Sequence, residues 1–308
     1  MAANPYDPEL RRIRWIPRFS WTPTLVRLMN RASIRTADPG PDVRIDEIVV
    51  SATTSVRLIR PAASRGPVPA LLWMHGGGHL IGAPQNDDRS NIAFVRELGI
   101  AVAAVRYRRG IDAPAPASVE DCYAALQALV ERSAELGIDP TRIAIGGASA
   151  GGGVAAGLTL YAHDRGEIPV AFQLLVYPML DDRTVVRTDH DTSTARVWMP
   201  KSNRYGWATY LGAEPGSEGV PAYAAPARRD DLAGVPPTWI GVGTEDLFYD
   251  EDLEYGRRLS EAGVLCHVEI VPGAFHGFDA LYHRTAIAQR FWQHQADALR
   301  AAGIRADP

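Results

Sequence analysis

Several features that would point to other kinds of protein are rare or absent in this sequence of 308 residues. It has one lysine, Lys201, and a formal net charge of −4, so it lacks the basic excess that attracts nucleic acid. The two cysteines, Cys122 and Cys266, are too few for a disulfide framework, and no Cys and His cluster predicts a metal site. We therefore expect two buried free thiols and no bound metal.

Long hydrophobic runs are also missing. No stretch approaches the roughly 18 uninterrupted apolar residues of a membrane span. Charged residues interrupt any signal-peptide core near the N-terminus, namely Glu9, Arg11, Arg12 and Arg14. We therefore expect no integral membrane segment and, by default, a cytoplasmic protein. The composition, with 46% hydrophobic and 22% charged residues, is that of a folded globular chain.

From residue 44 onward, short β-rich runs alternate with helical patterns, which predicts an α/β fold with a mostly parallel sheet of eight strands and helices on both faces. The predicted strands are Arg44–Val50, Ser55–Arg60, Val68–Met74, Ile100–Tyr107, Arg142–Gly146, Ala171–Tyr177, Thr238–Gly243 and Leu265–Val271. The predicted helices are Asn91–Leu98, Ser118–Leu136, Ala150–Asp164, Asp250–Ala262 and Leu281–Ala301. Ser118 and Asp121 resemble a weak capping box at the start of the second helix.

Two stretches, residues 1–43 and 185–215, do not fit the alternation and carry more aromatic side chains than connecting loops need. We interpret them as one small helical cap over the carboxyl edge of the sheet, where open α/β sheets bind ligands. The sheet and its helices then form the core of the fold, residues 44–184 and 216–308.

The N-terminal part of this predicted cap is basic. Up to Arg35 it holds seven arginines against Asp7 and Glu9, which gives a net charge of +5. Such a segment either touches an anionic membrane surface or forms the solvated outer face of the cap. We favour the second interpretation.

The strongest chemical signal is Gly147-Ala148-Ser149-Ala150-Gly151, which follows a predicted strand and opens a predicted helix. G-x-S-x-G in this context holds a serine on a sharp turn, and its neighbours must be small because larger ones would clash with the backbone. The helix N-terminus behind the serine offers free N–H groups to a developing oxyanion. Alone, the pattern also fits a glycine-rich turn with an incidental serine.

A second signal, His75-Gly76-Gly77-Gly78, follows the predicted strand Val68–Met74. Glycines let backbone N–H groups approach a substrate oxygen, and this motif forms the oxyanion-hole loop of lipases and esterases. A phosphate-binding loop is the competing interpretation, but the sequence lacks G-x-x-x-x-G-K-[ST] and has no G-x-G-x-x-G after a strand. Together the two motifs predict a serine hydrolase.

The partners of Ser149 should follow it in the order acid and then histidine. Of the eight histidines, His276 lies in a loop after the last predicted strand and is the candidate base. Asp246 follows the seventh predicted strand by three residues and is the candidate acid. Asp250 is the more natural N-cap of the next helix, and the two acidic residues after it would favour the helix dipole.

Through these residues the chain resembles the hormone-sensitive-lipase-like esterases, or bacterial family IV, of the α/β-hydrolase fold. The resemblance covers roughly residues 44 to 300. Besides the two glycine motifs, it rests on Asp246-Leu247, Asp250-Glu251, His276-Gly277-Phe278, Tyr107-Arg108, Glu120-Asp121, Asp139-Pro140-Arg142 and Tyr177-Pro178. It implies that Ser149 is the nucleophile, His276 the base and Asp246 its orienting acid. The implied oxyanion donors are the N–H groups of Gly77, Gly78 and Ala150, with motif support from His75, Gly76, Gly147 and Gly151.

The sequence departs from the family pattern at three places. Ala148 stands before the nucleophile, where the family usually has an acidic residue. Asp112 takes the place of the glutamate that usually ends the motif beginning at Tyr107, and Leu247 replaces the usual proline after the acid. None of these changes removes a catalytic group.

We therefore expect a serine carboxylesterase that hydrolyses small-molecule esters without a cofactor. An amidase, thioesterase or dehydratase on the same scaffold remains open, because the fold does not fix the substrate. A non-catalytic receptor for a small ligand is disfavoured because all three triad residues are present. A dehalogenase or epoxide hydrolase is disfavoured because a serine occupies the nucleophile position.

The cap sequence also suggests a limit on substrate size. Large side chains over Ser149 would leave room for short to medium acyl chains, roughly C2 to C8, with little space for more methylenes. The candidate pocket residues are Trp15, Phe19, Trp21, His79, Trp198, Met199 and Trp207. The last strand, Leu265–Val271, is a candidate edge for pairing two subunits in a homodimer.

Overall fold

The computed structural model describes residues 4–32, 36–64, 66–189 and 191–307. Its strands are β1 (Val43–Val49), β2 (Ser55–Pro61), β3 (Val68–Met74), β4 (Ala101–Arg106), β5 (Ile138–Ala148), β6 (Phe172–Val176), β7 (Thr238–Gly243) and β8 (Cys266–Val271). They form one sheet in the order β1-β2-β4-β3-β5-β6-β7-β8. β2 runs antiparallel to both of its neighbours, and all other neighbouring strands are parallel.

Helices cover both faces of this sheet, as the alternating sequence pattern predicts. The helices are α1 (Pro23–Arg31), α2 (Asp88–Leu98), α3 (Ala117–Glu131), α4 (Ser133–Leu136), α5 (Ala150–Arg165), α6 (Pro200–Leu211), α7 (Tyr249–Glu261), α8 (Phe278–Leu281) and α9 (Ala286–Ala301). One apolar cluster joins α3, α5 and α7 to the sheet, and a second joins α2 and α9 to its other face. Within the described residues, no helix is long and apolar enough to cross a membrane.

The strand sequences explain where the centre of the sheet lies. Every residue of β3 is buried, as expected for a parallel strand covered on both faces. β8 lies at the edge of the sheet and has only one buried residue, Val271. Because β3, β5, β7 and β8 are parallel, their carboxyl ends share one edge. The motifs at residues 75–78 and 147–151, and the candidate acid and base, follow these ends.

A third apolar cluster lies where the sequence predicts a cap. It joins Val26 of α1 to Trp207 and Tyr210 of α6 and to Leu247, which follows the candidate acid. The N-terminal segment also forms hydrogen bonds with the predicted cap segment 185–215. The Trp21 N–H donates to Ser202 Oγ over 3.0 Å. The Tyr6 hydroxyl and the Arg18 guanidinium donate to the backbone carbonyls of residues 194 and 192 over 2.6 and 2.8 Å. These contacts agree with a composite cap, which stays a prediction; its residues 1–3, 33–35 and 190, Arg35 among them, lie outside the described residues.

The predicted strands are confirmed: β3 and β7 have the predicted bounds, and the ends of the others shift by one residue or more. The bounds and caps of several helices were predicted wrongly. The second predicted helix, Ser118–Leu136, is divided into α3 and α4 at Arg132, whose ψ angle of 14° is not helical. The last predicted helix is divided into α8 and α9, and Thr285 caps α9 by accepting from the Ala288 N–H. Ser118 is not a cap, because α3 begins one residue earlier and the Ser118 hydroxyl donates to Tyr210.

Two further expectations needed correction. Asp250 is not the N-cap of its helix: Phe248 occupies that position without a side-chain bond, and Asp250 pairs with Arg187 over 3.0 Å. Of the two free cysteines, Cys122 is buried, but Cys266 is only half-buried because it starts the edge strand.

Candidate active site

The strand β5 ends in a sharp turn at Ser149, where α5 begins. Ser149 has φ of 58° and ψ of −123°, a conformation that is costly for a residue with a side chain. The turn is also crowded, because a Cβ atom added to Gly147 would overlap the backbone of Gly151, and one added to Gly151 would overlap that of Met74. Packing therefore requires the small residues of this motif, and the turn presents the serine hydroxyl beyond the end of the sheet.

Ser149 lies in hydrogen-bond contact with the predicted base. Its Oγ atom is 2.8 Å from Nε2 of His276, and Nδ1 of the same ring is 2.8 Å from Oδ2 of Asp246. A carboxylate can only accept, so Nδ1 donates to Asp246 and Nε2 is left to accept from the hydroxyl. The Phe248 N–H donates to the other carboxylate oxygen over 3.0 Å. Each of the three residues is at most 7% exposed, so bulk water competes little with these bonds.

The glycine loop after β3 packs against the serine turn. A Cβ atom added to Gly76 would lie 3.3 Å from the Cβ of Ser149, so the two motifs are in contact. Gly77 and Gly78 have φ angles of 126° and 61°, which favour glycine. Neither donates its N–H to an acceptor in the described part of the chain. Ala150 is the first residue of α5, so its N–H has no acceptor one turn earlier.

His75, the first residue of the motif, holds this loop in place through a hydrogen bond and a ring contact. Burial, reinforced by the positive charge of Arg109, lowers the pKa of His75 to about 4, so the ring is neutral at pH 7. Its Nδ1 donates to the carbonyl oxygen of Gly76 over 2.8 Å, and the ring stacks on Tyr107 at 4.6 Å. The Tyr107 hydroxyl donates to the carbonyl oxygen of His75 over 2.6 Å. These bonds fix the backbone from which Gly77 and Gly78 present their N–H groups.

The positions that depart from the family pattern still have partners. Asp112 accepts from the Nε of Arg109 over 2.8 Å, so the shorter acid keeps an arginine partner within the same loop. The neighbouring Arg108 forms a two-point contact with Asp121 at 2.8 and 2.9 Å. Ala148 is half-buried and packs against the apolar cluster that contains Phe275.

Of the predicted pocket residues, Trp198 makes direct contact with the candidate oxyanion loop. A Cβ atom added to Gly78 would overlap the Trp198 indole, and only a glycine leaves room for this ring. The indole Nε1 donates to Asn203 of α6 over 3.1 Å. The residue before it, Val197, has φ of 67°, which is strained for a β-branched side chain. The chain therefore bends sharply to place Trp198 on Gly78.

Three other predicted pocket residues are packed inside the protein. Met199 is 6% exposed and Trp207 is fully buried. The ring of His79 stacks on Tyr210 with centroids 3.7 Å apart. Neither ring nitrogen of His79 has a hydrogen-bond partner in the described part of the chain, and burial lowers its pKa to about 3. These side chains shape the cap cluster.

Two predicted pocket residues of the N-terminal segment, Trp15 and Phe19, are largely exposed. Trp15 is 74% exposed, and the Arg14 guanidinium lies 4.6 Å from its ring centroid. Phe19 is 44% exposed and makes an edge contact with Trp21, which is half-buried at the margin of the cap cluster. The short turn that carries Trp15 buries Ile13 instead, in the cluster on the α2 and α9 face of the sheet. Trp15 therefore faces solvent and does not roof the site.

Glu251 is a structural residue that sequence reasoning missed. It lies in the first turn of α7, as expected, but it is buried and accepts from the N–H groups of Leu180 and Asp181 over 2.7 and 3.2 Å and from the Thr184 hydroxyl. Burial raises the pKa of Glu251 well above its ordinary value. Glu251 thus ties the segment after β6 to the helix that follows Asp246. Glu251 is among the residues that carry the family resemblance, but the sequence pattern does not predict these contacts.

A second missed group lies beside the histidine. The ring of Tyr177 makes an edge contact with His276, with centroids 4.8 Å apart, and its hydroxyl donates to Asp279 over 2.9 Å. Burial raises the pKa of Asp279 above its ordinary value. This contact packs the loop that carries His276 against the end of β6. No sequence motif pairs these two residues, which lie about a hundred positions apart.

Comparison with known proteins shows the family of this chain. A family model described as alpha/beta hydrolase fold matches residues 71–280. Carboxylesterase NlhH of Mycobacterium tuberculosis is 33% identical over 248 residues, which span 77% of this chain and 76% of that protein. Ethyl acetate hydrolase of Pseudomonas putida is 30% identical over 240 residues, which span 73% and 71%.

Solved structures of esterases superpose on nearly the whole chain. A bacterial heroin esterase superposes with a TM-score of 0.86 at 37% identity, covering 98% of this chain and 99% of that one. Esterase LipW from Mycobacterium marinum superposes with a TM-score of 0.85 at 32% identity, covering 98% and 97%. The chain belongs to the alpha/beta-hydrolase fold family. Within that family it is a member of the hormone-sensitive-lipase-like esterase group, as the motifs predicted.

Proposed function

We propose that this protein is a serine carboxylesterase in which Ser149, His276 and Asp246 form the catalytic triad. The observation that carries the proposal is the unbroken chain of contacts from Ser149 Oγ through both ring nitrogens of His276 to Asp246, 2.8 Å at each step. The names of the relatives, a carboxylesterase and an ethyl acetate hydrolase among them, support the same reaction class.

Acylation begins with the serine hydroxyl. His276 Nε2 takes the proton of Ser149 Oγ while the oxygen attacks the ester carbonyl carbon and the carbonyl π electrons move onto its oxygen. Asp246 holds the ring in the tautomer that can accept this proton and stabilises the imidazolium that forms. Collapse of the tetrahedral intermediate expels the alcohol, which takes the proton from Nε2, and leaves an acyl group on Ser149.

The negative oxygen of the intermediate needs hydrogen-bond donors that are already in place. We assign this role to the N–H groups of Gly77, Gly78 and Ala150, which donate to no acceptor within the described residues. Ala150 directly follows Ser149, and Gly76, which precedes the other two, packs on Ser149. One such donor contributes about 2.7–4 kcal/mol to transition-state stabilisation in a well-studied serine protease. In the second half of the reaction, His276 activates a water that attacks the acyl group, and the carboxylic acid leaves.

A substrate panel separates this proposal from the other activities that the scaffold supports. p-Nitrophenyl esters, matched p-nitroanilides and matched thioesters of the same acyl group share the acyl half and differ only in the leaving atom. We expect the ester to have the highest kcat/KM, with kcat/KM for the anilide lower by several orders of magnitude. An anilide or thioester that exceeds the ester would identify an amidase or a thioesterase, and no turnover of any substrate would favour a receptor.

The position of Trp198 predicts a preference for short acyl chains. Its indole rests on Gly78, beside the proposed oxyanion hole, so an acyl chain extending from Ser149 past this loop meets a large ring. Each buried methylene gains about 0.8 kcal/mol until the pocket is full, after which overpacking costs about 1–3 kcal/mol. We expect kcat/KM across p-nitrophenyl esters from acetate to palmitate to peak at roughly C2 to C8.

The same series with variants tests whether Trp198 sets this limit. Trp198→Phe keeps an apolar ring but removes volume, so the optimum should move to longer chains. Trp15→Phe is the matched control, because Trp15 is 74% exposed, and its chain-length profile should equal that of the wild type. A wild-type maximum at C12 or longer, or an unchanged profile in Trp198→Phe, would contradict this assignment.

A homodimer through β8 is a further part of the proposal. Among the described residues this strand pairs with β7 alone and forms the edge of the sheet. Ile270 within it and Leu265 just before it are 41% and 78% exposed. Edge strands with unpaired backbone groups are ready to pair with a second chain. We expect light scattering coupled to size exclusion to give a dimer mass, and Ile270→Lys to give a monomer. A wild-type monomer at all concentrations would refute this arrangement.

A further inference from the structure

A cleft separate from the serine site lies on the outer side of the glycine loop. Its volume is about 700 Å³, within the range of small-molecule sites. None of the three proposed triad residues lines it. Its walls come from the end of α1, the turn between β1 and β2, the segment between β3 and α2, and the segment after β4.

Within the described residues, one of the positive groups of this cleft has no partner of opposite charge. Three arginines and one aspartate line it. Arg108 is held by Asp121 at 2.8 Å, and Arg109 is held by Asp112 at 2.8 Å. Arg106 has only a neutral partner in the described part of the chain, the amide oxygen of Gln85 at 3.2 Å. Its guanidinium therefore remains able to form a two-point contact with a carboxylate or phosphate.

The remaining walls are partly apolar. Met29 of α1, Ile81, Ala83 and the Tyr107 ring line the cleft beside the arginines. His75 also lines it, and its neutral ring adds no positive charge, because its low pKa keeps it unprotonated at pH 7. A ligand that contacts both the unpaired arginine and the apolar side chains of this cleft carries one anionic group and an apolar body.

The cleft is coupled to the candidate oxyanion loop through Gly82. This residue lines the cleft, and its carbonyl oxygen accepts from Nη1 of Arg109 over 3.3 Å. A Cβ atom added to Gly82 would lie 2.6 Å from His75 Nδ1 and would also overlap the carbonyl oxygen of Gly76. The cleft wall is therefore packed directly on the backbone that leads to Gly77 and Gly78.

We propose that this cleft is a second binding site, for a small organic carboxylate with an apolar body, and that Arg106 anchors the carboxylate. The apolar body lies against Met29 and Ile81. Binding there does not require the chemistry of Ser149, so the proposal stands apart from the esterase mechanism.

Calorimetric titration with hexanoate at low ionic strength tests this site, with hexanol and inorganic phosphate as comparison ligands. In wild-type protein whose Ser149 is first blocked with a fluorophosphonate, hexanoate should bind, while hexanol, which lacks the charge, should not bind. Phosphate, which lacks the apolar body, should bind more weakly than hexanoate. Arg106→Gln should raise the Kd for hexanoate at least about tenfold, because it removes a charged hydrogen-bond donor. The Kd of Arg106→Lys for hexanoate should lie between those of the wild type and Arg106→Gln, because lysine keeps the charge but lacks the planar guanidinium.

The matched control is Arg305→Gln, which changes an exposed arginine near the amino end of β5, and it should bind hexanoate as the wild type does. Equal melting temperatures of the variants show that each is folded. The proposal is overturned if hexanoate does not bind wild type, if it binds Arg106→Gln with unchanged affinity, or if phosphate binds as tightly as hexanoate.

Discussion

Ser149→Ala should lower kcat for ester hydrolysis by about 10⁴- to 10⁶-fold, in line with other serine triads. The variant removes only the hydroxyl, whose hydrogen bond goes to His276. The backbone strain at this residue, with φ of 58°, is the same for alanine as for serine. The fold and melting temperature should therefore stay close to those of the wild type, and the loss should appear in kcat.

Ser260→Ala provides the control for this change. Ser260 lies in α7, and its hydroxyl donates to the carbonyl oxygen of Gly256 in the preceding turn. Alanine suits a helix interior, so this variant should keep full activity and stability. Turnover by Ser149→Ala at more than about one percent of the wild-type rate would contradict the role of Ser149, because removal of a triad serine lowers kcat by far more than a hundredfold.

Asp246→Asn should lower kcat by about 10⁴-fold. The asparagine oxygen can still accept from the Phe248 N–H, so the loop should keep its shape. The amide group would then face His276 Nδ1, and it cannot accept a proton from that nitrogen. The ring would adopt the opposite tautomer, with its proton on Nε2, and could not take the proton of Ser149.

Asp250→Asn is the matched control, because it makes the same substitution four residues along the chain. Asp250 is half-exposed and pairs with Arg187 at the surface, an interaction that contributes at most about 1 kcal/mol to stability. Its kcat should equal that of the wild type. If Asp250→Asn were the inactive variant and Asp246→Asn the active one, the acid of the triad would be misassigned.

The sequence predicted the parts of this protein that depend on local pattern. β3 and β7 have the predicted bounds because apolar runs between glycine-rich or polar turns determine where buried strands begin and end. Ser149 and His276 could be selected before any contact was known, because the hydroxyl needs a sharp strand-to-helix turn and the base follows a later strand end. Their 2.8 Å contact spans 127 positions of sequence and follows from the parallel order of the sheet.

The parts that could not be predicted depend on contacts between distant segments. Trp15 was expected to lie over the site, but it is 74% exposed, and its turn buries Ile13 in the apolar cluster that also contains α2 and α9. Asp250 and Glu251 are adjacent acidic residues in one helical turn, and only packing decides that one is half-exposed and the other buried against Leu180. Asp252 is also buried, and neither of its carboxylate oxygens has a hydrogen-bond partner in the described part of the chain. The sequence pattern does not predict this burial either.

The most direct test of the central claim is covalent labelling with a fluorophosphonate, followed by proteolysis and mass spectrometry. The phosphorus atom reacts with a serine oxygen that an adjacent base activates, and fluoride leaves. We predict one adduct per chain, on Ser149, with hydrolysis lost in proportion to labelling and no labelling of the Ser149→Ala variant. An adduct on another residue, or full ester hydrolysis after Ser149 is completely labelled, would contradict the account.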